Sequence, residues 1–201
     1  MANVNAPFGF LRIGTSSGVP NYAQDANPPW RIAYNAGAIY YGDLVRLTSA
    51  SDTGYIIQAT AADSTIPNVG VFYGCSYFST SQKKTIFNNY WPGTDVASGN
   101  DVTAYVETDP NALFMVQAGA SAVGYTALGQ TVDIVVGTGS TTTGQSGMYL
   151  GVPTTTATLP FKVVNLLTSP PGINGRDYTT AYNIVIVAFN YQIFKSLTGQ
   201  P

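Results

Sequence analysis

An all-β sandwich of jelly-roll or Greek-key type is the fold class this sequence predicts, and three observations predict it. Apolar and polar residues alternate in short runs, Gly, Pro, Asn and Ser separate those runs, and no long stretch carries an i, i+3, i+4, i+7 apolar stripe. In DVTAYVE, Val102, Ala104 and Val106 face one way while Asp101, Thr103, Tyr105 and Glu107 face the other, which is the pattern of a half-buried strand. About eight strands with no long helix suit such a sandwich.

Taken in order, residues 1–11 (MANVNAPFGFL) read as an extended arm, because Pro7 fixes φ and lacks a donor while Gly9 adds freedom. A secretory signal needs a basic start and an apolar run of about 7–15 residues, and Asn3, Asn5, Pro7 and Gly9 interrupt any such run. Nine extended residues reach about 30 Å, so Pro7, Phe8, Phe10 and Leu11 are expected to pack on a neighbouring molecule. The other reading has Phe8 and Phe10 fold back to plug their own sandwich.

Residues 12–201 then form a single domain, long enough to bury roughly 70% of its unfolded surface. Strands are expected at 39–48, 55–60, 69–78, 101–107, 112–117, 131–136, 161–167 and 183–194. Long loops are expected at 21–30, 81–93, 137–147 and 169–181, where turn-forming residues cluster. SAVGYTALG (121–129) offers one or two helical turns, with Ser121 as N-cap and Gly129 as the stop. The run NIVIVAFNYQIF is apolar on both faces, so it reads as a central strand covered twice. The face of Val185, Val187, Phe189 and Tyr191 is the one expected to be covered by another subunit, which predicts a homodimer or homotrimer.

Composition removes most chemistry. The chain has no histidine, so a Ser-His-Asp, Cys-His or zinc arrangement cannot be assembled, and no metal or cofactor is expected. Glu107 and Asp109 lie two apart at a strand end and are the remaining acid/base pair, yet Asp109-Pro110 is turn chemistry, so they are read as a solvated edge and the chain as no enzyme. GTGSTTTG (137–144) lacks the lysine of a phosphate loop and is read as a mobile loop. With Lys83-Lys84 as the only basic pair and a net charge of −2, no nucleic-acid partner is expected, and no membrane partner either. The single Cys75 can form no internal disulfide and reads as a small buried residue, which fits synthesis in a reducing cytosol.

Charged residues are only 9% of the chain, against about 25% in ordinary domains. Such a surface is suited to being covered. Tyrosine occurs 14 times, and Trp30, Tyr90 and Trp91, beside or within loops, are the candidate contact residues, since Tyr and Trp give large contact area at low entropic cost.

The order of several segments also resembles a known family. MANVNAPFGFLRIG at the start, YYGDLVRLTS (40–49), DPNALFMVQAG (109–119), SAVG (121–124), TATLPFKVVNL (156–166) and YNIVIVAFN (182–190) resemble tailed-bacteriophage capsid cement, or head decoration, proteins. The resemblance implies a structural virion protein, made in the bacterial cytoplasm, that sits outside the shell and binds the major capsid protein. It implies no catalytic residue. The alternative, from a different class, is a sugar- or receptor-binding surface module that uses Trp30 and Trp91 as stacking platforms.

Overall fold

The computed structural model describes residues 2–16, 30–48, 54–61 and 66–196, so the predicted loop at 21–30 lies outside the described residues except for Trp30. The architecture is all-β. Strands β1 (Leu11–Thr15), β8 (Ala112–Gln117), β13 (Ile184–Phe189), β12 (Phe161–Leu166) and β9 (Thr131–Val132) form one sheet in that spatial order. The second sheet runs β2 (Trp30–Ile32), β7 (Val102–Glu107), β5 (Asn68–Ser79), β3 (Leu44–Leu47) and β4 (Ile56–Gln58), with β6 (Lys84–Asn88) also paired to β5. A short ribbon joins β10 (Ile134–Val135) to β11 (Tyr149–Leu150). Every strand pairing in the two sheets is antiparallel.

Alternation decides which side of each strand is covered. In β8 the buried apolar residues are Ala112, Phe114 and Val116, and in β13 they are Val185, Val187 and Phe189. These meet Leu44 and Val71 of the second sheet in the core between the layers. A second core lies on the other face of the second sheet, where Ile32, Val45, Ile56 and Phe72 pack with Ile39 and Trp91 from the connecting segments. The second sheet is therefore covered on both faces, which explains why NVGVFYGC in β5 is apolar almost throughout.

Three expectations are corrected and one is given its detail. The 81–93 segment is not a loop: β6 pairs with β5 from Cys75↔Asn88 to Ser79↔Lys84, because Thr85, Ile86 and Phe87 are good strand formers. Gly/Thr/Ser-rich 137–147 is a loop, as expected, and contains a hydrogen-bonded turn, with Gly144 N–H donating to Ser140 O at 2.7 Å and Tyr41 N–H donating to Gly144 O at 2.9 Å. The helical turn is a 3-10 turn at Tyr125–Ala127, and its N-cap is Gly124 rather than Ser121. In β13 the expectation of a central strand holds, but Val185, Val187 and Phe189 face the chain's own core, and Ile184, Ile186 and Ala188 form the half-exposed side.

The largest correction concerns the N-terminus. Residues 3–10 do not leave the domain; they lie against it through hydrogen bonds at every second or third residue. Asn3 Nδ2 donates to Asp177 O (2.8 Å) and Thr180 Oγ1 (2.9 Å), and its Oδ1 accepts from Gly175 N–H (2.9 Å). Gln117 Oε1 accepts from Ala6 N–H and Gln117 Nε2 donates to Val4 O, both at 2.9 Å. Gly9 N–H donates to Met148 O, and Phe10 N–H to Gly42 O. Gly9 is required at this crossing: its φ is +74°, and a Cβ there would sit 2.7 Å from Gly42 O.

Candidate interaction surfaces

The seven residues expected at an interface separate into different environments. Phe10 is fully buried and stacks on Phe161 with ring centroids 4.4 Å apart, inside the cluster that also holds Phe114 and Phe189. Its place in an intermolecular contact is thereby corrected: the apolar pressure that makes it look sticky is satisfied within its own domain. Pro7 and Phe8 are half-buried, and Phe8 O accepts from Gln145 Nε2 at 2.7 Å. Leu11 belongs to β1, opposite Met115, on the outer side of the five-stranded sheet.

Trp91 is also buried, edge-on to Tyr77 at 5.2 Å, with its indole N–H donating to Ala36 O at 3.3 Å. It cannot act as a stacking platform. Trp30 is half-buried against the second core, and Tyr90 stacks on Tyr40 at 5.6 Å.

The outer faces carry what the sequence pattern left unremarked. On the five-stranded sheet, Leu11, Met115 and Ile186 stand in one cross-strand row, and Leu113 and Ala188 in the next. Ile13 and Val164, at the bulged positions of β1 and β12, are 45% and 43% exposed. On the second sheet, the β5–β6 hairpin exposes Phe87 (75%) and Phe78 (50%). Ser76 lies opposite Phe87 and Phe78 opposite Thr85, so the two phenylalanines are diagonal neighbours on one face. The signal was present in YFST and TIFN, where alternation with a buried Tyr77 forces Phe78 outward.

The expected carboxylate pair has a partner. Arg12 is placed by β1 opposite Phe114, so its side chain points between the layers, where Nη1 bonds Glu107 Oε2 and Nη2 reaches Asp109 Oδ2 at 3.3 Å. Glu107 is not a solvated edge; its side chain is fully buried. Glu107 Oε1 also accepts from Asp109 N–H at 2.9 Å. Gly70 makes room for this strand end, since a Cβ there would fall 2.0 Å from Glu107 O.

Asp43 is the other buried acid. Its carboxylate accepts from Tyr40 N–H (2.8 Å), Gln58 Nε2 (2.7 Å) and Ser146 Oγ (2.5 Å). Burial pushes its pKa up, against the opposing pull of those three donors. The arrangement ties β4 and the 144–148 segment to the turn before β3, beside the Gly9 crossing. Cys75 is buried in β5, and burial pushes its thiol up to about 12, far from thiolate chemistry near neutrality.

Among the described residues no group of three His, Cys, Asp or Glu could hold a metal ion, and no helix is long and apolar enough to cross a membrane. Comparison of the chain with known protein families, with curated proteins and with solved structures found no match.

Proposed function

We propose that this chain is a structural virion protein that binds the outer surface of a tailed-bacteriophage capsid and cements neighbouring major capsid proteins. The observation that carries the reading is the outer face of the five-stranded sheet, where Leu11, Met115, Ile186, Ile13 and Val164 present an apolar surface on a domain with only 9% charged residues. Exposed apolar area of this kind on a rigid sheet is what a protein partner covers. A cement protein stabilises a shell only through contacts present in the assembled state, so such a face is productive when it docks and costs solubility when it does not. Homodimer or homotrimer formation belongs to the same reading. The resemblance of the segments quoted above to cement proteins supports the choice of the major capsid protein as partner.

The test uses bare shells and the purified chain. Wild type should bind in a saturable, regular stoichiometry and raise the temperature at which shells break. Met115→Glu with Ile186→Lys should keep the free protein's melting temperature within a few degrees and abolish shell binding. Wild type that leaves shells unbound, or a double variant that binds as well as wild type, overturns the proposal.

A further inference from the structure

The segment between β12 and β13 frames a half-open pocket of about 260 Å³ lined by Thr168, Pro171, Ile173, Arg176, Asp177 and Tyr178. The loop is held in shape from outside. Asn3 grips Gly175, Asp177, Thr180 and Ala181 through its side-chain amide, and Ile184 N–H donates to Gly175 O at 2.7 Å. A pocket framed this way is preformed rather than assembled on binding.

Arg176 is the unusual member. Its Nε and Nη1 are shielded from solvent and have no hydrogen-bond partner among the described residues. A charged donor left in that condition is unfavourable, and an anion brought to the guanidinium from the cavity would relieve it. Beside it, Asp177 Oδ1 is turned to Thr179, accepting from its N–H (3.0 Å) and from its Oγ1 (2.6 Å). The other arginines with described ion pairs, Arg12 and Arg31, are matched to Glu107, Asp109 and Asp101.

The ligand chemistry follows from charge and rim. Among the described residues lining the cavity Arg176 is the one cation, and Asp177 stands beside it, so a single negative charge suits the site better than a phosphate dianion. Around the opening, Ile173 is half-exposed, and Tyr178 packs edge-on to exposed Tyr125 at 5.0 Å. An arginine flanked by tyrosines and an aliphatic residue is the residue mixture of protein contact sites. We propose that this pocket receives the carboxylate of an aspartate or glutamate side chain on a partner protein, with Arg176 as its counter-ion. No residue of the pocket belongs to the five-stranded face, so the inference stands independently of how that face is used.

The experiment is side-chain NMR on the whole protein with labelled arginine, using acetate, the capped peptide N-acetyl-Leu-Glu-Leu-amide and inorganic phosphate as probes, and chloride as the ionic-strength control. Acetate should move the Arg176 Nε–H resonance saturably, chloride should not, and Arg12, Arg31 and Arg46 should stay in place. The peptide should bind at least about threefold more tightly than acetate, since the rim adds apolar contact. Arg176→Gln should lose both responses and keep the melting temperature within about 2 °C, because the side-chain nitrogens it removes have no bonding partner among the described residues. An unshifted Arg176, a shift matched by chloride, tighter binding of phosphate, a peptide no better than acetate, or a large fall in melting temperature on Arg176→Gln each overturns the proposal.

Discussion

Asp95 illustrates how a single residue closes a hairpin from outside. It sits at φ +74° and accepts from Ser79 Oγ (2.5 Å), Thr80 Oγ1 (2.9 Å) and Ser81 N–H (2.8 Å), which fixes the chain just where β5 turns into β6. Those donors, Ser79 first, lower its pKa from 3.8 to about 2. With the folded pKa below the unfolded one, the stabilisation is present above pH 3.8 and is lost as pH falls through about 2. A carboxyl carbon titration should therefore place Asp95 near 2, and amide exchange in residues 79–84 should quicken across that window; a midpoint near 4 would mean the bonds are not held in solution. The exposed Arg31–Asp101 pair, which also bonds Tyr55 Oη, is a different case, since it is open to salt and contributes little. Single residues of this type were poorly legible in the sequence. The pattern around Asp95, WPGTDVASG, announces a turn without saying whose donors it will meet, because Ser79 and Asp95 come together only through pairing of β5 with β6. Arg12 was missed for the same reason: nothing local in FLRIG tells that the guanidinium turns inward to Glu107, 95 positions away.

At the scale of elements, period-two alternation was the readable signal, and it located β5, β7, β8, β12 and β13 where both faces or one face are strongly apolar. Short strands such as β2 and β11 fall below what alternation can reveal, the strand expected at 131–136 is divided into β9 and β10, and β6 was hidden by the Asn, Pro and Gly that follow it. The N-terminal segment was read the wrong way for a physical reason. Pro7 and Gly9 do produce an extended chain, but extension does not say whether Phe10 is received by a neighbour or by Phe161. Three features decide for Phe161: the ring stack, the Gly9 crossing over Gly42, and the Asn3 and Gln117 amides that hold the strand-like lead-in. Phe10→Ala should accordingly destabilise the free domain by about 3–5 kcal/mol in urea unfolding, as expected for an aromatic removed from a closed core. Deleting residues 1–9 should lower the melting temperature of the isolated protein as well, because it strips the partners of Gly175, Gln117 and Met148. Unchanged melting of both variants would return the segment to the role of a free arm.

At the scale of the molecule, the two sheets are joined by packing of the inter-layer core and by a charged clasp. β1 carries Arg12 in the five-stranded sheet, β7 carries Glu107 in the second, and Asp109 lies on the short connection by which the chain passes from β7 to β8 and so from one layer to the other. The connection is fastened further by Asp109 N–H to Glu107 Oε1 and by Gln192 Nε2 to Thr108 O, both at 2.9 Å. Burying these charges has a desolvation cost, so the clasp is better understood as a device that sets the register between layers than as a large net source of stability. This view predicts an asymmetry. Arg12→Met leaves the fully buried Glu107 without a cation and should destabilise by about 3–5 kcal/mol, whereas Glu107→Gln leaves Arg12 with Asp109 and should cost about 1–3 kcal/mol. Combining Arg12→Met with Glu107→Leu replaces the pair by apolar groups and should recover most of the first loss, with little dependence on salt because neither charge was open to screening. Equilibrium unfolding of the three variants at low and high ionic strength measures all of this in one series. If the double variant is no more stable than Arg12→Met alone, apolar packing does not replace the pair, the clasp contributes bonding energy in its own right, and the layers are held by it rather than merely aligned.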